Sequence, residues 1–168
     1  MAWAEEQQAK SYGGIANICT IDCAYTAGFL DGEGYVGFYT TKDESKRMQV
    51  TITNTNREII YWIKKTFRVG RITFTQYKKK KDCYRFILTN NKEATYFLRL
   101  IFPYVMIKRR QVKMMIEWLE TRIKCNHEHR IVERNEEGQI LRCEYLDAYS
   151  ERELEIMKEF ETINRRGK

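Results

Sequence analysis

Along the chain, apolar positions alternate between a spacing near 3.6 and a spacing of 2, and each switch marks a new element. Ile21, Tyr25 and Phe29 recur at i, i+4 and i+8, which predicts a helix from Ile21 to about Leu30. Thr20 suits its N-cap and Asp22 its first turn. The glycines of Asp31-Gly32-Glu33-Gly34 are expected to end it, because glycine enters the left-handed conformation cheaply. From Tyr35 to Thr41 and from Arg47 to Thr53 the β-branched and aromatic content rises around a turn-like Lys42–Lys46 segment, which predicts a hairpin. In its second strand Met48, Val50 and Ile52 point one way, and Arg47, Gln49, Thr51 and Thr53 the other.

Asn56 then caps a helix carrying Ile59, Ile60, Ile63 and Phe67, and Gly70 leads into a second hairpin, Arg71 to Tyr77 and Cys83 to Thr89. Ile72, Phe74, Tyr84, Phe86 and Leu88 form its apolar face, Arg71, Thr73, Thr75, Arg85 and Ile87 its other face, and Lys78-Lys79-Lys80-Lys81 its tip. A helix is expected from Asn91 to Phe102, stopped by Pro103. Another runs from Arg109 to Lys124, with Val112, Met115, Ile116, Leu119 and Ile123 on one side. The strand, strand, helix unit repeats: Asn56-Arg57-Glu58 with Tyr61-Trp62-Ile63 recurs as Asn91-Lys92-Glu93 with Tyr96-Phe97-Leu98. Extended backwards, that match pairs Val50 with Arg85, so a slip of one residue is expected at the junction.

These elements predict an α+β fold, a mixed αββαββα core whose four strands form one antiparallel, saddle-shaped sheet. Helices cover the apolar side and leave the polar side open. Residues 1–14 show no clear period and are expected to be an arm or loose helix without chemistry. Beyond Lys124, a short hairpin and a charged helix from about Ser150 to Asn164 read as peripheral additions. The expectation is one domain over residues 1–168, with its core at about 20–124 and an extension at about 125–168.

A chain of 168 residues can bury a sizeable core without staples. Five cysteines, an odd number without a CxxC pair, and no apolar leader after Met1 argue against a secreted disulfide framework. Reduced thiols and an intracellular location follow as expectations, with organelle and prokaryotic cytoplasm not distinguished. The sequence has no run long and apolar enough for a membrane span. A formal charge of +7 favours a polyanionic partner. Two histidines leave little for a His-based active site, so a hydrolase would rely on carboxylates, lysine or metal.

The open polar face is too long for a small-molecule pocket and suits a rod-shaped polyanion. Tyr35, Tyr39, Arg47, Gln49, Thr51, Arg71, Thr73, Thr75 and Arg85 are side chains that can read base edges, and Lys78, Lys79, Lys80 and Lys81 are expected to touch phosphates near the ends of the site. The stretch Ala24-Tyr25-Thr26-Ala27-Gly28-Phe29-Leu30-Asp31-Gly32-Glu33-Gly34 resembles the signature of the LAGLIDADG homing endonucleases, site-specific DNA endonucleases usually encoded within introns or inteins. The helix, hairpin, helix, hairpin, helix order over roughly Thr20 to Lys124 fits that family too.

Only one such motif is present, so the resemblance to single-motif members implies a homodimer. The small residues Ala24, Ala27 and Gly28 would let two motif helices pack closely, with Asp31 bracing the pair. Glu33 would bind metal just past the helix end. Two such carboxylates at about 4 Å repel by ~1 kcal/mol or more, and the oxygen-rich site suits Mg2+, other divalent cations being possible. Lys108 matches the family's basic residue near the active site, and Asn54 stands where members often carry a polar residue that positions solvent. The function implied is metal-dependent hydrolysis of both strands of a specific double-stranded DNA site, without a membrane partner. An intron RNA maturase or a non-cleaving DNA-binding module on the same fold is the alternative. Cys125, His127, His129 and Cys143 have zinc-ligand chemistry at loose spacing, and unpaired surface residues are the expectation there.

Overall fold

The computed structural model describes residues 18–42, 45–76, 81–124, 129–134, 140–145 and 149–165. Its elements are α1 (Thr20–Glu33), β1 (Gly34–Thr40), β2 (Lys46–Asn54), α2 (Arg57–Phe67), β3 (Arg71–Thr75), β4 (Cys83–Leu88), α3 (Asn91–Ile101), α4 (Arg109–Lys124), β5 (His129–Arg134), β6 (Ile140–Tyr145) and α5 (Glu151–Arg165). One 3-10 turn, Phe102–Tyr104, joins α3 to the segment before α4. The fold is α+β, with one four-stranded antiparallel sheet in the order β1-β2-β4-β3. The strands β5 and β6 pair separately, and no helix among the described residues is long and apolar enough to cross a membrane.

The alternation of the sequence becomes the two faces of this sheet. Val36 pairs with Val50, Phe38 with Met48, Ile52 with Phe86 and Val50 with Leu88. All sit on the helix-covered side, where Val36, Met48, Val50, Ile52, Phe86 and Leu88 are buried. From α1, Leu30 enters that core, from α2 Ile60, Ile63 and Phe67, from α3 Phe97, Leu98 and Ile101, and from α4 Val112, Met115 and Leu119. Phe67 packs edge-on against Phe97 at 4.9 Å between ring centroids, tying the two repeat helices together.

Helix α1 ends later than the glycines suggest, and by another device. It runs through Gly32 to Glu33, and Gly34 is extended (φ −92°), passing straight into β1. Glycine is needed at residue 34 for room, since a Cβ there would collide with the Leu30 carbonyl. At the start, Cys19 holds the N-cap position without a capping side chain, and Thr20 is the first helical residue. Gly70 is the left-handed glycine, with φ +73° and the Ile87 carbonyl oxygen 2.8 Å from where its Cβ would stand.

The internal repeat is real, but its period is one residue shorter than the matching letters imply. Asn56 caps α2 by accepting from the N–H groups of Glu58 and Ile59, and Asn90, not Asn91, does the same for α3 through Lys92 and Glu93. Matching cap to cap, 34 residues apart, superposes Val50 on Tyr84 and Ile52 on Phe86, all on the apolar face. No slip at the junction is needed. The identical Asn-x-Glu letters mislead because α3 starts with two asparagines and its second one is the first helical residue.

The C-terminal helix is not peripheral. Ile156, Met157 and Phe160 of α5 are buried in the same core cluster, and Phe160 meets Phe38 of β1 at 5.3 Å between ring centroids. Helix α4 is therefore covered on two sides, which is why Met114 and Trp118 are buried besides the predicted stripe, while Ile123 at its end is exposed. Arg122 and Glu153 form a buried ion pair between α4 and α5. Glu153 also accepts from the Ser150 N–H at 2.7 Å, a cap that fixes where α5 begins.

Candidate functional site

Helix α1 delivers two carboxylates to one end of the sheet, and they have different surroundings. Asp31 turns inward to the segment before α4: one oxygen accepts from the N–H of Met106 (2.8 Å) and of Ile107 (3.1 Å), the other from the N–H of Lys108 (2.8 Å). Burial alone would raise the Asp31 carboxyl, but these three donors and the Lys108 ammonium outweigh it and hold the group below its ordinary value. The negative charge also lies at the start of α4, where the helix dipole favours it. Lys108 closes the arrangement by donating from Nζ to the main-chain oxygen of Asp31 at 2.5 Å. Arg109 braces the same segment from outside, donating to the carbonyls of Phe102 and Val105, both at 3.2 Å.

Glu33, two residues on, is exposed and makes no hydrogen bond or ion pair among the described residues. In the strand that follows, Tyr35 and Tyr39 sit on the polar face opposite Thr51 and Arg47. The last β1–β2 pair is Gly34 with Ile52, so Glu33, the final residue of α1, stands at the end of the sheet where β2 finishes with Thr53 and Asn54. Thr53 pairs in turn with Arg85, and Arg85 with Thr73. The row nearest Glu33 is therefore Thr53, Arg85 and Thr73. Outward from it come Tyr35, Thr51, Ile87 and Arg71, then Gln49, then Tyr39 with Arg47. Successive rows are about 7 Å apart.

Several expected site residues are placed differently. Thr51, expected at the DNA-facing surface, is only 7% exposed, because it lies in a central strand between Tyr35 and Ile87. Tyr35 is half-buried at the sheet edge, its hydroxyl donating to the Phe38 carbonyl at 2.9 Å, and burial raises its pKa against an opposing hydrogen bond from Asn164 of α5. Asn54 shares the parity of Ile52 and Val50, the helix-covered side, and its Oδ1 accepts the Asn56 N–H at 2.8 Å. That turn prepares the entry to α2 and leaves Thr53 as the last polar-face side chain of β2, at the Glu33 end of the sheet. Sequence reasoning did not single out Thr53, although its parity with Thr51 and Gln49 was the available signal.

The small-residue face of α1 also needs correction. Ala27 is fully buried in the chain's own core, and Asp31 braces the Met106–Lys108 segment of its own chain. The open face is instead Ile21 (76% exposed), Ala24, Tyr25, Gly28 and Gly32, and a Cβ at Gly28 or Gly32 would meet nothing. β3 ends and β4 begins at the Asn54 end of β2, which is the Glu33 end of the sheet. Lys81 is exposed, whereas Lys78, Lys79 and Lys80 lie outside the described residues, as do Cys125 and His127. His129 and Cys143 stand in β5 and β6. Among the described residues no three His, Cys, Asp or Glu side chains are grouped as a metal site.

An open antiparallel sheet, backed by helices and ending in an unpaired acid at the end of a glycine-containing helix, defines a class, and the family comparison agrees with it. The sequence profile of the LAGLIDADG endonuclease family matches residues 26–122, and the chain belongs to that family as a member with a single motif. Among solved structures it is similar to the homing endonuclease I-TnaI, with a TM-score of 0.56, 19% identity and coverage of 85% of this chain and 93% of that one. It is similar too to the group I intron-encoded homing endonuclease I-CeuI, solved with DNA, at TM-score 0.52 and 17% identity, covering 69% and 62%. The homing endonuclease I-CvuI, solved with DNA in the presence of magnesium, matches at TM-score 0.50 and 21% identity over 60% of this chain. The chain spans 66% of the length of I-CvuI. No curated protein matches the sequence.

Proposed function

We propose that this chain is a homodimeric, divalent-metal-dependent endonuclease that cuts both strands of a specific double-stranded DNA site. The observation that carries the reading is Glu33: an exposed carboxylate without a partner among the described residues, at one end of an open sheet, on a helix whose face of Ile21, Ala24, Tyr25, Gly28 and Gly32 is exposed. Packing two copies through Ala24, Gly28 and Gly32 would bring the two Glu33 side chains together at the centre of a doubled saddle. Close approach of helix axes requires small residues, which these are.

A divalent cation fits this donor set. One chain contributes a single free carboxylate, so Glu33 of each copy, together with DNA phosphates, would hold the ion through hard oxygen ligands of the kind magnesium prefers. When bound, such an ion supplies a water of lowered pKa and offsets charge at the leaving oxygen. The protein's own part is positional. Asp31 fixes the Met106–Lys108 segment, Lys108 is held at the end of α1 beside the reacting phosphate, and the polar sheet face aligns the duplex through Arg47, Gln49, Tyr39, Arg71, Thr73 and Thr75. Lys81, exposed just before β4, adds a phosphate contact.

The test is Glu33→Gln, which keeps size and hydrogen-bonding capacity but removes the charge. Cleavage of a duplex selected from a random library by the wild-type protein should be lost, while affinity for that duplex stays within about threefold. A mutant that cuts like wild type would refute the assignment. A wild type that binds the duplex and never cuts it would mark the chain as a binding module.

A further inference from the structure

We infer that Arg85, steered by Thr53, contacts the DNA backbone at the cleavage centre rather than a base edge farther along the site. The inference rests on the endonuclease reading above. Arg85 is exposed, and its Nε donates to Thr53 Oγ1 at 3.3 Å. That bond spends the one guanidinium N–H that faces back along the side chain and leaves the four on the two terminal nitrogens directed outward. Thr53 follows Ile52, the partner of Gly34, so it lies at the Glu33 end of the sheet, and Arg85 pairs with it one strand further across. Two strand spacings put its Cα about 10 Å from the β1 line, a span an extended arginine largely covers.

Position decides between backbone and base. Wherever Glu33 acts, the duplex must present a phosphate, and the row of Thr53 and Arg85 lies at the Glu33 end of the sheet. Arg47 pairs with Tyr39 three rows out, roughly 20 Å along β2 from Thr53. The two arginines therefore meet different parts of the duplex, although the alternation of the sequence places them on one face. Lys108, another cation at this end, already donates from Nζ to the Asp31 carbonyl. Arg85 makes no ion pair among the described residues, so its charge is free to meet a phosphate oxygen.

Single-turnover cleavage of the library-selected duplex at saturating protein, with a binding-selection profile of base preference, tests this. Arg85→Ala should lower the rate constant about tenfold or more while base preference and melting temperature stay as in wild type. Arg85→Lys should restore much of the rate, because a point charge serves a phosphate but cannot replace a bidentate base contact. Thr53→Val, which keeps shape and removes the acceptor, should lower the rate severalfold with wild-type melting. An unchanged rate with relaxed preference at symmetric positions in Arg85→Ala would overturn the inference and make Arg85 a base reader. A wild-type rate in Thr53→Val would remove the steering role. A folded wild type that cuts no duplex in the library would overturn the endonuclease reading, and this inference with it.

Discussion

Replacing Asp31 by Asn separates the two carboxylates of the motif. The Asp31 carboxylate accepts three main-chain N–H bonds from Met106, Ile107 and Lys108. An asparagine offers one oxygen, so at least one N–H loses its acceptor and an amide N–H₂ group is forced against another donor. A hydrogen bond to a charged group contributes about 1.5–3 kcal/mol when well shielded, but this site is partly open to water, which discounts the loss. Adding the charge at the start of α4, about 0.3–1 kcal/mol, the expected cost is about 1–2 kcal/mol, or ~2–8 °C in melting temperature for a chain of this size. Because the folded carboxyl sits below its ordinary 3.8, its contribution is fully present above that value. It is lost as pH falls from there through the lower folded value. Urea unfolding of wild type and Asp31→Asn should therefore differ at neutral pH and converge in strong acid. Cleavage should fall too, since Lys108 is set by the same bonds. Equal stability at neutral pH, or a gap that widens on acidification, would refute the account.

Gly28→Leu should leave the monomer folded, because a side chain there meets nothing within the chain, yet shift the protein from twice 20.3 kDa to 20.3 kDa by light scattering. A dimeric mutant would place the interface elsewhere. Asn90→Ala should cost about 1 kcal/mol and Asn56→Ala a similar amount, whereas Asn91→Ala, on the first helical residue, should stay within about 0.5 kcal/mol of wild type. Chemical denaturation of the three variants checks the 34-residue period of the repeat against the alternative that the identical letters suggest.

Order and type of elements were legible in the sequence because periodicity is a local property. The strict alternation of Met48, Val50 and Ile52 with Arg47, Gln49 and Thr51 is enough to assign two faces to a strand, and the motif's ordered residues are enough to suggest the family. What could not be read there depends on neighbours brought from a distance. Thr51 has the right parity for an open face but is covered by Tyr35 and Ile87 from adjacent strands. Ala27 and Gly28 are adjacent small residues, and only packing against the core decides that the first is buried and the second free. Asn54 and Thr53 are neighbours at the end of β2, and only the folded chain shows that Asn54 accepts the Asn56 N–H in the turn into α2 while Thr53 accepts from Arg85. The end of the sheet at which β3 stops and β4 starts is fixed by strand order, since reversing direction at each antiparallel neighbour returns them to the end where Glu33 stands. Side-chain spacing is set by the chain's own backbone and survives in one dimension, whereas burial and proximity belong to pairs of residues that only the folded sheet brings together.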